Sequence, residues 1–116
     1  MTCKPFDVVR VPFPFTDRPA TRNRPALVLS ASQSFNQLTG HAVMAMITAA
    51  ENPVWVGDVL ITDLVAAGLP KPSKVRLKLF TLDLQLVRGI LGHLGPADIA
   101  QVRQTLLPLL LQPEAE

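Results

Sequence analysis

The feature that most limits what this chain can fold into is a period of two in its apolar residues, interrupted by proline. Near the start, Val9, Val11, Phe13 and Phe15 alternate with Val8, Arg10, Pro12 and Pro14, the spacing that puts one set of side chains on one face of a half-buried strand. Pro12 and Pro14 remove two N–H donors from the same side, so the strand has to end there or lie at a sheet edge. Further short runs of strand character follow, separated by turn residues. Ala26–Leu29 begins just after Pro25, a third run spans His41–Ile47, and a fourth element spans Trp55–Ile61 after the Glu51-Asn-Pro53 turn. A fifth covers Ser73–Leu82, where Val75, Leu77 and Leu79 alternate with Arg76 and Lys78, and a last strand is expected over Leu86–Leu94. Ser30 to Gly40 is polar and reads as irregular.

Two segments depart from this period. Thr62-Asp63 can cap a single helical turn over Leu64–Ala67, and Gly68 can take the left-handed conformation that stops it, with Pro70 and Pro72 preventing continuation. After Gly95, Pro96 suits the first position of a C-terminal helix in which Ile99, Val102, Leu106 and Leu110 recur at helical spacing, and Pro108 is expected to end or kink it. Many short strands with one long helix imply a mainly β fold, a small barrel with a short helix and a C-terminal α-helix.

At 116 residues the chain suits one domain over residues 1–116. Apolar residues make up 48% and charged residues 17%, which argues against disorder, and no apolar run approaches the roughly 18 residues that span a bilayer. The opening Met-Thr-Cys-Lys-Pro-Phe-Asp has no secretory pattern, so a soluble protein of the cytoplasm is expected, with no membrane association. A lone Cys3 with only His41 and His93 offers no zinc-type spacing, and neither a metal nor another cofactor is expected. The net charge of +2 decides little. Its placement says more, since Lys4, Arg10, Arg18, Arg22 and Arg24 crowd the first quarter against Asp7 and Asp17. Such a patch suits a polyanion, or is a solvated basic loop.

The run Asp7-Val-Val-Arg-Val-Pro-Phe-Pro-Phe-Thr-Asp17, followed by Arg24-Pro-Ala-Leu-Val-Leu-Ser30, resembles the opening of the PemK/MazF family of toxins from toxin-antitoxin pairs. The resemblance continues through Val43-Met-Ala-Met-Ile-Thr48, through Ala67-Gly-Leu-Pro-Lys-Pro-Ser73 with Arg76 and Leu79-Phe-Thr-Leu-Asp83, and through Gly92-His-Leu-Gly-Pro-Ala-Asp98. Each piece is weak alone, and four in the right order are specific. The resemblance implies an SH3-like barrel and a sequence-selective endoribonuclease that cuts single-stranded RNA without a metal. It also implies a homodimer, held inactive by a cognate antitoxin.

Carried over by position, Arg24 and Thr48 match the family's catalytic arginine and hydroxyl residue, while Arg18, Arg22, Ser73 and Arg76 fall in segments that border its RNA groove. The chemistry is consistent. When a ribose 2′-hydroxyl attacks the adjacent phosphorus, charge builds on the non-bridging oxygens, which a planar guanidinium and a hydroxyl can hold. The products would be a cyclic phosphate and a free 5′-hydroxyl, and DNA would survive. No general base stands out: Asp17 and Glu51 qualify only by proximity in sequence to Arg24 and Thr48, and His41 and His93 read as strand-end residues. Ser73 and Arg76 also fit a turn cap and an outward strand residue. Trp55, the only indole, suits either a stacked base or the barrel rim.

Two departures from the family pattern stand out. Phe6 occupies a position where relatives have Gly, and Arg76-Leu77-Lys78 runs on where relatives often carry an extra acidic residue. A gyrase poison of the same fold is the alternative, but its binding depends on a C-terminal Trp-Gly-Ile and this chain ends Gln112-Pro-Glu-Ala-Glu116. A non-catalytic RNA- or protein-binding relative is the third reading.

Overall fold

A computed structural model describes residues 2–12 and 22–111. Six strands form one antiparallel sheet: β1 (Asp7–Pro12), β2 (Asn23–Val28), β3 (His41–Ala49), β4 (Val59–Leu60), β5 (Ser73–Asp83) and β6 (Gly89–His93). Their order across the sheet is β4-β5-β3-β2-β1-β6, and the sheet curls into a half-barrel. Three helices accompany it: α1 (Gln37–Thr39), α2 (Leu64–Ala67) and α3 (Pro96–Leu110). The mainly β architecture with a short helix and a C-terminal helix agrees with the sequence pattern.

Both faces of the sheet are covered, which explains why β1 carries Val8 as well as Val9 and Val11. Val8, Leu27, Ala45, Ile47 and Val75 pack with Val102 and Leu106 of α3. Val9, Val11, Ala26, Val28, Met44, Phe80 and Leu82 form a second cluster with Cys3 on the opposite face. The β3–β5 pairing steps from Ala45↔Leu79 to Met46↔Arg76, so Leu77 and Lys78 are extra residues on β5. This bulge sits at the Arg76-Leu77-Lys78 departure noted above.

Several boundaries differ from expectation. The fourth element shrinks to Val59–Leu60, because Trp55 and Asp58 close a turn. The Trp55 N–H donates to Asp58 Oδ2 (3.1 Å) and the Asp58 N–H to the Trp55 carbonyl (3.1 Å), while Gly57 has φ +88°. The last strand begins at Gly89 rather than Leu86, since the Asp83 carboxylate accepts from the Gln85 N–H (2.9 Å) and starts a tight turn over Leu84–Leu86. Ser30 to Gly40 is not irregular throughout: a wide helical turn over Ser32–Asn36 leads into α1. Asn36 anchors it, donating to the carbonyls of Cys3 (3.0 Å) and Ser30 (3.1 Å). Pro108 does not end α3, which continues to Leu110. Its missing N–H and its ring act on the Gln104 carbonyl, a local cost, and the last turn still closes with the Leu111 N–H donating to the Leu107 carbonyl (2.9 Å).

The short α2 forms as its caps dictate. Asp63 Oδ1 accepts from the Ala66 N–H (3.0 Å), and Gly68 at φ +70° closes the turn. A Cβ on Gly68 would lie 2.0 Å from the Leu91 carbonyl oxygen, and one on Gly92 would lie 2.3 Å from that of Ala66. Glycine at both positions lets α2 rest directly on β6. Asp98 then ties this corner to α3. Its carboxylate accepts from the Thr62 N–H (3.0 Å), the Thr62 hydroxyl (2.7 Å) and the Asp63 N–H (3.0 Å). Burial pushes the Asp98 carboxyl up, yet the bonds from Asp63 and Thr62 outweigh it and hold the group below its usual value.

Candidate functional site

β2 pairs with β3 through Ala26↔Met46, Leu27↔Ala45 and Val28↔Met44. Arg24 and Thr48 each lie two residues beyond the first of these pairs, so strand alternation puts both on one face and at one end of the sheet. Arg24 is exposed at the start of β2, opposite Val11 on β1. Thr48 is 8% exposed near the end of β3, opposite Lys74 on β5. Its Oγ1 accepts a 2.5 Å hydrogen bond from Nδ2 of Asn52.

The loop that carries Asn52 is fixed by β5. Lys74 Nζ donates to the Asn52 carbonyl (2.6 Å) and pairs with Asp58 Oδ2 (3.1 Å). Arg76 forks onto the same carboxylate, Nε to Oδ1 and Nη2 to Oδ2, each at 3.1 Å, and Nη2 also donates to the Pro53 carbonyl (2.7 Å). The side chains of Lys74, Arg76 and Asp58 are 8%, 12% and 11% exposed. Burial alone would raise the Asp58 carboxyl. Hydrogen bonds from Arg76, Lys74 and the Trp55 N–H, with the Arg76 charge, hold it below its usual value. Two cations around one carboxylate leave a formal charge of about +1 beside Thr48, a favourable field for an anion. Half-exposed Trp55 completes this wall, with Arg76 Cζ 5.5 Å and Lys78 Nζ 5.7 Å from its ring centre.

The other sequence-derived candidates are placed as follows. Arg22 is exposed just before β2. Arg18 and Asp17 lie outside the described residues. Ser73 is buried, its hydroxyl donating to the Lys71 carbonyl (2.9 Å) at the start of β5. Glu51 is exposed in the turn beyond β3. His93 pairs through Nδ1 with the buried Asp7 carboxylate (3.0 Å) on the β1–β6 edge, and His41 bonds to the Thr39 carbonyl (2.9 Å). Neither histidine is placed on the strand ends that carry Arg24 and Thr48. Asn52, Asp58 and Lys74 were not singled out from sequence. Lys74 shares the parity of Arg76 and Lys78 on β5, the one signal that could have drawn attention to it. Among the described residues, no helix is long and apolar enough to cross a membrane.

Comparison with known proteins places the chain. Its structure is similar to an endoribonuclease in complex with its cognate antitoxin from a mycobacterial species, with a TM-score of 0.74 at 18% identity over 97% of this chain and 99% of that one. It is similar to a MazE-MazF complex from Deinococcus radiodurans, TM-score 0.72, 20% identity, covering 97% and 99%. MazF from the same organism gives 0.71 at 24% identity, covering 95% and 97%. A search of curated proteins found no significant match. The family model for the PemK-like, MazF-like toxin of type II toxin-antitoxin systems matches residues 4–110. With nearly all of the chain accounted for by that model and by the same half-barrel, this protein belongs to the PemK-like, MazF-like toxins.

Proposed function

We propose that this protein is a sequence-selective endoribonuclease that cuts single-stranded RNA by attack of the ribose 2′-hydroxyl on the adjacent phosphorus. The observation that carries this reading is the convergence of Arg24 and Thr48 on one face and end of the sheet, beside the cationic group built by Lys74 and Arg76. Arg24 would hold the non-bridging oxygens through its planar fork, and Thr48 would add a hydroxyl donor. Arg18 and Arg22, in the approach to β2, would track the RNA backbone. Arg76 and Ser73 would act mainly by shaping the groove wall, since their polar groups are engaged with Asp58, Pro53 and Lys71. The substrate supplies its own nucleophile, so the step needs no metal-bound water.

As in the antitoxin complexes it resembles, a cognate antitoxin would be its partner, with acidic residues laid near Arg18, Arg22 and Arg24. A homodimer would cover exposed leucines of α3, Leu107 and Leu110, which are 49% and 46% exposed. The cytoplasm is the compartment where such a toxin meets mRNA.

The test is incubation of the purified protein with a defined RNA and the matching DNA in excess chelator, followed by mapping of product ends. Cleavage of RNA alone, leaving a cyclic phosphate and a 5′-hydroxyl, is expected. A requirement for added magnesium, or equal cutting of DNA, would overturn the 2′-hydroxyl mechanism.

A further inference from the structure

The hydroxyl of Thr48 is a better-placed donor to a phosphoryl oxygen when another group occupies its own oxygen and turns the hydrogen outward. We propose that Asn52 is the positioning residue that does this, an inference that rests on the endoribonuclease reading. A threonine hydroxyl has one hydrogen to donate and two lone pairs to accept with. In a strand or helix it often gives that hydrogen to a nearby carbonyl instead of to a ligand. Here Asn52 Nδ2 donates to Oγ1 at 2.5 Å, and among the described residues this is the hydroxyl's one hydrogen bond. With a lone pair filled by the amide, the hydrogen is left for an incoming anionic oxygen. The amide dipole also makes Oγ1–H a better donor, since linked hydrogen bonds polarise one another.

The placement of Asn52 does not depend on its side chain. Its N–H donates to the Ala49 carbonyl (3.1 Å), its carbonyl accepts from Lys74 Nζ (2.6 Å), and the neighbouring Pro53 carbonyl accepts from Arg76 Nη2 (2.7 Å). The Ala50 N–H bonds to the Pro72 carbonyl (3.0 Å). Removing the amide therefore leaves the loop where it is and frees the Thr48 hydroxyl to rotate. Asn52 needs no contact with RNA to act.

A double-mutant cycle read by single-turnover cleavage at saturating RNA tests this, with affinity for a 2′-deoxy analogue and melting temperature measured alongside. Asn52→Ala should slow cleavage about tenfold, the scale of one oriented neutral hydrogen bond, with analogue affinity and melting temperature close to wild type. In a Thr48→Val background the same substitution should change nothing, because there is no hydroxyl left to orient. Asn52→Asp keeps the shape but can only accept, so it should be at least as slow as Asn52→Ala. A tenfold loss that persists beside Thr48→Val, a wild-type rate for Asn52→Ala, or a wild-type rate for Asn52→Asp would each overturn the proposal while leaving the nuclease reading intact. A wild-type protein that cuts no RNA would overturn both.

Discussion

Arg24→Lys keeps the positive charge and loses the planar fork, whereas Thr48→Val keeps the β-branched shape of a strand residue and loses only the hydroxyl. Each should slow single-turnover RNA cleavage at least about a hundredfold, the scale of one oriented transition-state donor, with little change in melting temperature. A collapse in melting temperature would instead assign that residue a structural role. Asp58 should behave in the opposite way. Asp58→Ala strands two cations whose side chains are 8% and 12% exposed, which should lower stability by about 3 kcal/mol in denaturant titration. Phe6 gives a further residue-scale outcome. It has φ +71° while its N–H donates to the Val28 carbonyl (2.7 Å) and its ring packs on the α3 side of the sheet. A side chain in that conformation costs about 1–2 kcal/mol, which glycine avoids. Phe6→Gly should therefore be more stable than Phe6→Ala by about 1 kcal/mol, reversing the usual order of the two.

At the scale of elements, the α2–β6 contact leaves no room for a Cβ at Gly68 or Gly92. Gly92→Ala would drive a methyl against the Ala66 backbone, and about 3 kcal/mol of lost stability is expected in the same titration. The sequence made α2 legible because both of its caps are local: Asp63 and Gly68 act on residues within a turn of themselves. It made β1, β3 and β5 legible through alternation and α3 through helical spacing. It did not reveal that the Trp55 segment turns instead of extending, because that depends on Asp58 bonding back to Trp55. As candidates, Arg24 and Thr48 were legible through family motifs. Asn52, Asp58 and Lys74 were not, since nothing local in Asn52-Pro53 or in Ser73-Lys74 says that a loop will be bolted across a strand. The Phe6 departure announced itself in sequence, but only the backbone angle shows that phenylalanine adopts the conformation glycine would favour.

For the molecule as a whole, Asp58 and Asp98 contribute to the response to acid. Both carboxyls are held below their usual value of about 3.8 in the folded state. The unfolded chain therefore takes up protons first as pH falls. Their contribution to stability is full above about pH 4 and is lost as pH drops through the lower folded values. Thermal melts from pH 7 to pH 2 should show a plateau and then a fall confined to the acid end, shallower in Asp58→Asn and Asp98→Asn. The basic approach to β2 should also make antitoxin association faster at low ionic strength, and an on-rate independent of salt would rule out docking there.

Cys3 is 1% exposed, with its carbonyl bonded to Asn36 and its side chain among Val9, Val28 and Met44. Burial, and then the Asp7 charge, push its thiol above the ordinary range. The chain thus holds one sulfhydryl, and that group is chemically silent until the N-terminal strap lifts from the sheet. Its alkylation rate is a clock for that local opening. Because an added thiol reagent reads it without any engineered label, the clock can be run in the free protein and again with a partner bound. A slower rate would show that the partner fastens the N-terminal segment against the sheet, and an unchanged one that it grips elsewhere.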